Sequence, residues 1–288
     1  MKHTDEDLDK LIEKLATATH SPKGKYTADE SYKILQKTLF PKKRSYRLLR
    51  IAVSAAAVVL LCIAGWSVYN HRQPVNMIIE STLAETKTIL LPDGSEVVLN
   101  RFTTLQYPEK FKEGERRVSL TGEAYFEVAR NEQQPFIVET GHVNVKVLGT
   151  QFNVEAYAND PEVKTTLLEG SVAVYNNFTE QIILKPNESA TYNKEQKKLT
   201  LNNEEDATSE IVWRDGSLIF SNITLAEITR RLSNHFGVTI SIENPELETF
   251  KMTGRFVDKE PLEDVLDLLK AVGEFDYQKT EPNKIIIY

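Results

Sequence analysis

The spacing of apolar residues changes several times along the chain, and each change marks a different kind of element. Leu8, Leu11, Ile12 and Leu15 recur at i, i+3, i+4 and i+7, which predicts an amphipathic helix over residues 4–18. Asp5, Glu6 and Asp7 crowd its first turn, where the helix dipole favours negative charge. Pro22 and Gly24 break the pattern. Thr27 and Glu30 have the spacing of a capping box, so a second helix is predicted over 27–40, with Tyr32, Leu35 and Leu39 on one face. Two helices this short bury little surface against each other. The pair reads either as a binding element for a partner protein or as a weakly ordered tail.

From Ile51 to Tyr69 the sequence IAVSAAAVVLLCIAGWSVY carries no charge. At about 1.5 Å per residue this is roughly 28 Å of helix, close to the hydrocarbon thickness of a bilayer. Trp66 and Tyr69 stand at one end, as interfacial rings do. A buried soluble helix would show a polar face, for which only Ser54, Cys62 and Ser67 are on offer. A cleaved signal peptide would start nearer the N-terminus. Residues 48–69 therefore read as one transmembrane helix. Lys42, Lys43, Arg44, Arg47 and Arg50 precede it, and only His71 and Arg72 follow closely. That asymmetry places the N-terminus in the cytoplasm and residues 70–288 on the other side.

Beyond it the period shortens to that of strands. Leu91, Pro92, Asp93, Gly94 and Ser95 form a turn signal: Pro presets φ, Asp bonds backbone and Gly accepts positive φ. Strands are predicted at 96–100, 117–120, 124–128, 136–139, 143–148, 152–157, 163–168 and 172–175. Their turn spacing indicates an antiparallel sandwich or jelly roll over 75–201. The polar run from Asn202 to Ser209 reads as a linker. Residues 210–288 then follow the order βαββαββ: a strand at 218–220, a helix at 224–236 capped by Thr224 and Glu227, strands at 238–242 and 250–257, a helix with Pro261 in its first turn, and strands at 275–279 and 284–288. The fold class is thus a multi-domain membrane protein. Its parts are a helical N-terminus (1–45), a transmembrane helix, an all-β domain and a small α+β domain.

Charge and chemistry narrow the function. Lys and Arg number 35 against 42 Asp and Glu, a net charge of −7, which does not suit direct nucleic-acid binding. Residues 1–47 alone carry +4 and the remainder −11. The lone cysteine, Cys62, excludes a disulfide scaffold and a cysteine zinc site. His3, His20, His71, His142 and His235 show no paired-ligand spacing, and no nucleophile elbow or phosphate loop occurs. No metal, cofactor or catalytic residue is expected.

Several motifs occur in order: Leu91 to Ser95, Tyr107-Pro108, Arg117-Val118, the run Gly122 to Val128, Pro135-Phe136, the run Val147 to Val154, and Leu168 to Val172. Together they resemble the FecR family of membrane-bound anti-sigma factors. Trp213, Gly216, Leu218, Phe220, Leu225, Phe236, Gly254, Leu262 and Leu266 resemble that family's C-terminal domain, which is similar to short domains of secretins and TonB-dependent transducers. The resemblance covers residues 48–288; residues 1–45 match in position, length and helical character. It implies a single-pass inner-membrane regulator rather than an enzyme, controlling nutrient-uptake genes. Its cytoplasmic partner would be an extracytoplasmic-function sigma factor, bound through Leu8, Leu11, Ile12, Leu15, Leu35 and Leu39. Its periplasmic partner would be the signalling domain of an outer-membrane TonB-dependent transporter. Ile285, Ile286, Ile287 and Tyr288 would add to that partner's strand if they form a sheet edge, or only stabilise the fold if they are internal. In some FecR-like proteins a Gly-Thr bond in this domain breaks by itself, which singles out Gly149-Thr150; the alternative there is an ordinary tight turn. A rival reading from another class is a membrane-anchored β-domain adhesion or glycan- or wall-binding protein.

Overall fold

The computed structural model describes residues 5–18, 26–40, 47–71, 76–176, 180–257 and 260–288. The chain divides into two compact units, Met1–Gln73 and Pro74–Tyr288.

The first unit holds α1 (Asp5–Ala18), α2 (Ala28–Leu39) and α3 (Arg47–His71). The capping box opening α2 is complete: the Thr27 amide donates to Glu30 Oε2 at 3.0 Å and the Glu30 amide to Thr27 Oγ1 at 3.4 Å. Helices α1 and α2 touch, which half-buries Ile12 and Tyr32. Side chains of α3 are described from Arg50 to Trp66, and all are exposed. Among the described residues no helix is long and apolar enough to cross a membrane.

In the second unit a β-sandwich comes first. Its strands are β1 (Met77–Ser81), β2 (Lys87–Leu90), β3 (Glu96–Leu99), β4 (Thr104–Pro108), β5 (Arg116–Glu127), β6 (Phe136–Glu139), β7 (Val143–Val147), β8 (Gln151–Ala156), β9 (Glu162–Glu169), β10 (Val172–Asn176), β11 (Gln181–Leu184), β12 (Glu188–Asn193) and β13 (Lys198–Asn203). One sheet runs β11-β10-β7-β6-β5-β4-β1 and the other β2-β3-β5-β8-β9-β12-β13. All pairings are antiparallel except β5 with β6. Between the sheets lie Leu99, Leu105, Leu120, Phe126, Phe136, Phe152 and Leu167, all buried, with Phe126 stacked on Phe152 at 5.1 Å.

The sheets share β5, where two separate strands, 117–120 and 124–128, are expected from the sequence. Its first half pairs with β4 and β6, its second with β3 and β8. Gly122 makes the passage. Its φ is +109°, and a Cβ there would stand 2.4 Å from Thr103 Oγ1, so no other residue fits unstrained. The Leu91–Ser95 turn is anchored by the buried Arg116. Its Nη1 donates to Asp93 Oδ2 at 2.7 Å and to the Ala129 carbonyl at 2.8 Å, and its Nε to the Gln134 carbonyl at 2.8 Å.

The polar run 202–209 is not a free linker. It completes β13 and enters a 3-10 helix, Ala207–Asp215, whose Ile211 and Trp213 pack on Tyr125 of β5. After Gly216, in the left-handed conformation, come β14 (Leu218–Thr224), α4 (Leu225–Phe236), β15 (Thr239–Ile242), the single turn α5 (Pro245–Glu248), β16 (Lys251–Phe256), α6 (Leu262–Gly273), β17 (Tyr277–Glu281) and β18 (Lys284–Ile287). The order is the expected βαββαββ, arranged as two sheets, β14-β16 and β15-β18-β17. Leu225, Ile228, Leu232, Leu266, Leu269, Ile285 and Ile287 fill a core of their own.

Two capping details differ from expectation. Thr224 caps α4 by accepting from the Glu227 amide at 3.3 Å, but the Glu227 carboxylate turns to Arg231 instead of back to the cap. Pro261 occupies the N-cap position of α6 rather than its first turn. The strand at the chain's end also departs from the edge arrangement. β18 lies between β15 and β17, so Ile285, Ile286 and Ile287 have neighbours on both sides and no open backbone edge.

Because Gly122 lets one strand serve both sheets, Gly122→Ala should destabilise the second unit by at least about 1–3 kcal/mol from backbone strain alone. Urea unfolding followed by far-UV circular dichroism checks this; an unchanged midpoint would show that β5 tolerates a side chain at its bend.

Candidate functional site

Two surfaces carry functional information, one on each unit. On the first, the six residues of the expected partner-binding face are all described. Leu8 (43%), Leu11 (60%), Leu15 (59%), Leu35 (44%) and Leu39 (55%) remain exposed, and only Ile12 is half-buried. The α1–α2 contact therefore leaves an apolar stripe in water. Exposed clusters of this kind mark interaction sites in soluble segments.

On the second unit, the seam between the sandwich and the α+β half is built of charge. Glu123 on β5 and Glu155 on β8 stand directly opposite each other in the ladder, where like charges repel. Both are buried. Asn100 Nδ2 donates to Glu123 Oε2 at 2.7 Å and Asn153 Nδ2 to Oε1 at 2.8 Å. Helix α4 turns Leu225, Ile228 and Leu232 into its own core and presents Arg230, Arg231 and Asn234 to the sandwich. Arg230 Nη1 reaches Glu155 Oε1, and Asp160 Oδ2 at 2.7 Å. Asn234 Nδ2 adds a bond to Asp160 at 2.9 Å. Arg231 Nη2 pairs with Glu227 at 2.8 Å and with Glu210 of the 3-10 helix at 3.3 Å. Lys164 on β9 joins Glu204 at 2.9 Å and Glu210 at 3.0 Å.

These neighbours push the carboxyls apart in acidity. Burial, with the Glu155 charge added, raises Glu123 to about 8. Burial acts upward on Glu155 too, but Arg230 and Arg231 outweigh it and hold that group below its ordinary value. Burial raises Asp160 against the pull of Arg230. For Glu210, burial is overcome by Arg231 and Lys164, which bring it down to about 2. Glu123 is thus biased toward its neutral form, while Glu155 and Glu210 are biased toward the charged form. Among the described residues no group of three or more His, Cys, Asp or Glu is placed to hold a metal.

Gly149 and Thr150 sit where β7 crosses to β8. Gly149 has φ +155°, and a Cβ there would meet Arg130 Cα at 2.6 Å. Thr150 Oγ1 donates to the Ser171 carbonyl at 3.2 Å. At the chain's end, Ile285 and Ile287 are core, Ile286 is half-buried and Tyr288 exposed. Sequence reading did not find the seam. Its residues come from β5, β8, the loop after β8, β9, the 3-10 helix and α4, with Asn100 and Glu204 from the ends of β3 and β13, and share no spacing; a local sign is the Arg230-Arg231 pair on the polar side of an amphipathic helix.

Comparison with known proteins bears on the second unit. Residues 78–173 match the family described as FecR protein, and residues 217–287 match FecR, C-terminal. Two crystal structures of a candidate anti-sigma factor from Parabacteroides distasonis ATCC 8503, at 2.50 and 1.65 Å, are similar at 32% identity. The match covers 74% of this chain and 99% of theirs, with TM-scores of 0.65 and 0.66. The chain belongs to the FecR family of anti-sigma factors. No curated protein sequence matches it. The FecR match ends at β10 and the FecR C-terminal match starts just before β14. The 3-10 helix carrying Glu210 therefore lies between the two family regions, while Glu123, Glu155, Asp160, Arg230 and Arg231 lie inside them. Membership implies interaction with a sigma factor and a regulatory, generally non-enzymatic role.

The raised Glu123 predicts a pH-dependent stability. Between the ordinary carboxylate value and about 8, the folded chain holds a proton on Glu123 that the unfolded chain has released, so stability falls as pH rises through that window. Glu123→Gln, which keeps one acceptor oxygen for the asparagine amides and cannot ionise, should flatten the decline. Melting temperatures measured from pH 5 to about 9 read this directly; parallel wild-type and Glu123→Gln curves would exclude a buried neutral Glu123.

Proposed function

We propose that this FecR-family protein is a single-pass inner-membrane anti-sigma factor. In this reading α1 and α2 lie in the cytoplasm and hold an extracytoplasmic-function sigma factor on the stripe Leu8, Leu11, Ile12, Leu15, Leu35 and Leu39. The uncharged run 51–69 within α3 is the span, oriented by the five basic residues before it. Residues 74–288 are periplasmic and receive a signal from a TonB-dependent transporter, which governs transcription of uptake genes.

The single observation that supports this most is the apolar stripe left open on α1 and α2 in a chain of this family. A helical pair that buried its leucines internally would have nothing apolar to offer a partner. The transporter contact belongs on the α+β half. Ile285–Ile287 lie in β18, which pairs on both sides, so this reading favours the edge strands β15 and β17 over β18 for a strand contact.

Residues 1–45 carrying an affinity tag should capture a sigma factor from the protein's own host. Leu11→Glu together with Leu35→Glu should abolish capture, since each sets an unpaired charge into an apolar contact. A wild-type fragment that is helical by circular dichroism yet captures no sigma factor would reject the assignment.

A further inference from the structure

The two halves of the second unit share no apolar core. The sandwich has its own buried cluster and the α+β half has another. A third, small cluster ties Ile211 and Trp213 of the 3-10 helix to Tyr125, on the sandwich side. Among the described residues, bonds from Arg230, Arg231 and Asn234 to Glu155, Asp160 and Glu210 cross the seam, and the Phe102 ring lies over Gly237 at the end of α4.

The surroundings of α4 suit separation. A cleft of about 850 Å³ opens on one flank, lined by Lys164, Glu204, Glu227 and Arg231. A second, of about 680 Å³, opens on the other, lined by Phe102, Asp160, Asn234 and Gly237. Between them a cavity of about 40 Å³, bordered by Glu123, Trp213, Arg231 and Asn234, is of a size for ordered water. Water therefore has access to the seam from both sides. Breaking the seam exposes ions that regain hydration, which offsets much of the lost pairing. Gly216, with φ +77°, stands at the junction between the anchored Trp213 and the first strand of the α+β half.

We infer that α4 is an ionic latch: the α+β half docks on the sandwich through Arg230 and Arg231 and can swing away about Gly216 as an intact folded body. Opening and closing then form a two-state equilibrium biased by charge at the seam. A ligand or partner that engaged Asp160, Glu155 or the polar face of α4 in the open state would shift it. The inference goes beyond the proposed function and holds whichever sigma factor or transporter is involved.

The chain contains two tryptophans, Trp66 and Trp213, so Trp66→Phe leaves a single reporter beside the seam. In the full chain held in detergent micelles, acrylamide should quench Trp213 weakly at low salt. Arg230→Gln, Asp160→Asn and addition of salt to about 1 M, where the Debye length is about 3 Å, should each raise quenching several-fold. Amide hydrogen exchange at Leu266 and Ile285 should stay as slow as in the unaltered chain, because their core does not depend on the seam. Quenching that fails to rise in the variants and in salt would overturn the latch. So would fast exchange at Leu266 and Ile285 whenever Trp213 is exposed, since the half would then be unfolding rather than swinging.

Discussion

Two glutamates facing each other across adjacent strands set the terms for the second unit. Gly122 turns β5 from one sheet into the other, and the next residue, Glu123, comes to lie opposite Glu155 of β8. Such a pair cannot be buried with both charges intact. One member, Glu123, is pushed toward its neutral form by burial and by the Glu155 charge, against the two asparagine amides that donate to it. The other is matched by guanidinium groups that arrive from α4, some 75 residues later in the chain. The sandwich's surface thus calls for a cationic cover, and the α+β half supplies it.

Much of the fold was legible from residue patterns. The capping box at Thr27 and Glu30, the alternation through Val143–Val147 and the apolar faces of α4 and α6 each follow from local spacing, and each is present. The omissions have physical reasons. β1, β2 and β11 are short and partly exposed, so their alternation is diluted by polar residues. The gap read between 117–120 and 124–128 is Gly122, a residue that normally signals a break and here permits a bend. Asn202–Ser209 looked like a linker because its side chains are polar, yet its residues complete an edge strand and enter the 3-10 helix. The position of β18 depends on which strands flank it, which its own sequence does not encode.

The candidate surfaces divide along the same line. The leucine stripe on α1 and α2 is a local periodic feature, visible in the sequence and still exposed in the folded chain. The charged seam is assembled from β5, β8, the loop after it, β9, the 3-10 helix and α4, so only the fold reveals it. The two surfaces also differ chemically. The first offers apolar area whose burial rewards a partner. The second is a set of compensated charges, a property suited to an element that opens and closes.

The central claim is that α4 is held to the sandwich by charge pairing rather than by shape alone. A double-mutant cycle on Arg230 and Glu155 tests it most directly, using Arg230→Met, Glu155→Gln and the pair. Stability would be read by urea unfolding at Trp213 in the Trp66→Phe chain. A coupling energy of about 1–3 kcal/mol is predicted, because Arg230 and Glu155 bond directly and Glu155 is buried. Effects that add to within about 0.5 kcal/mol would contradict the account.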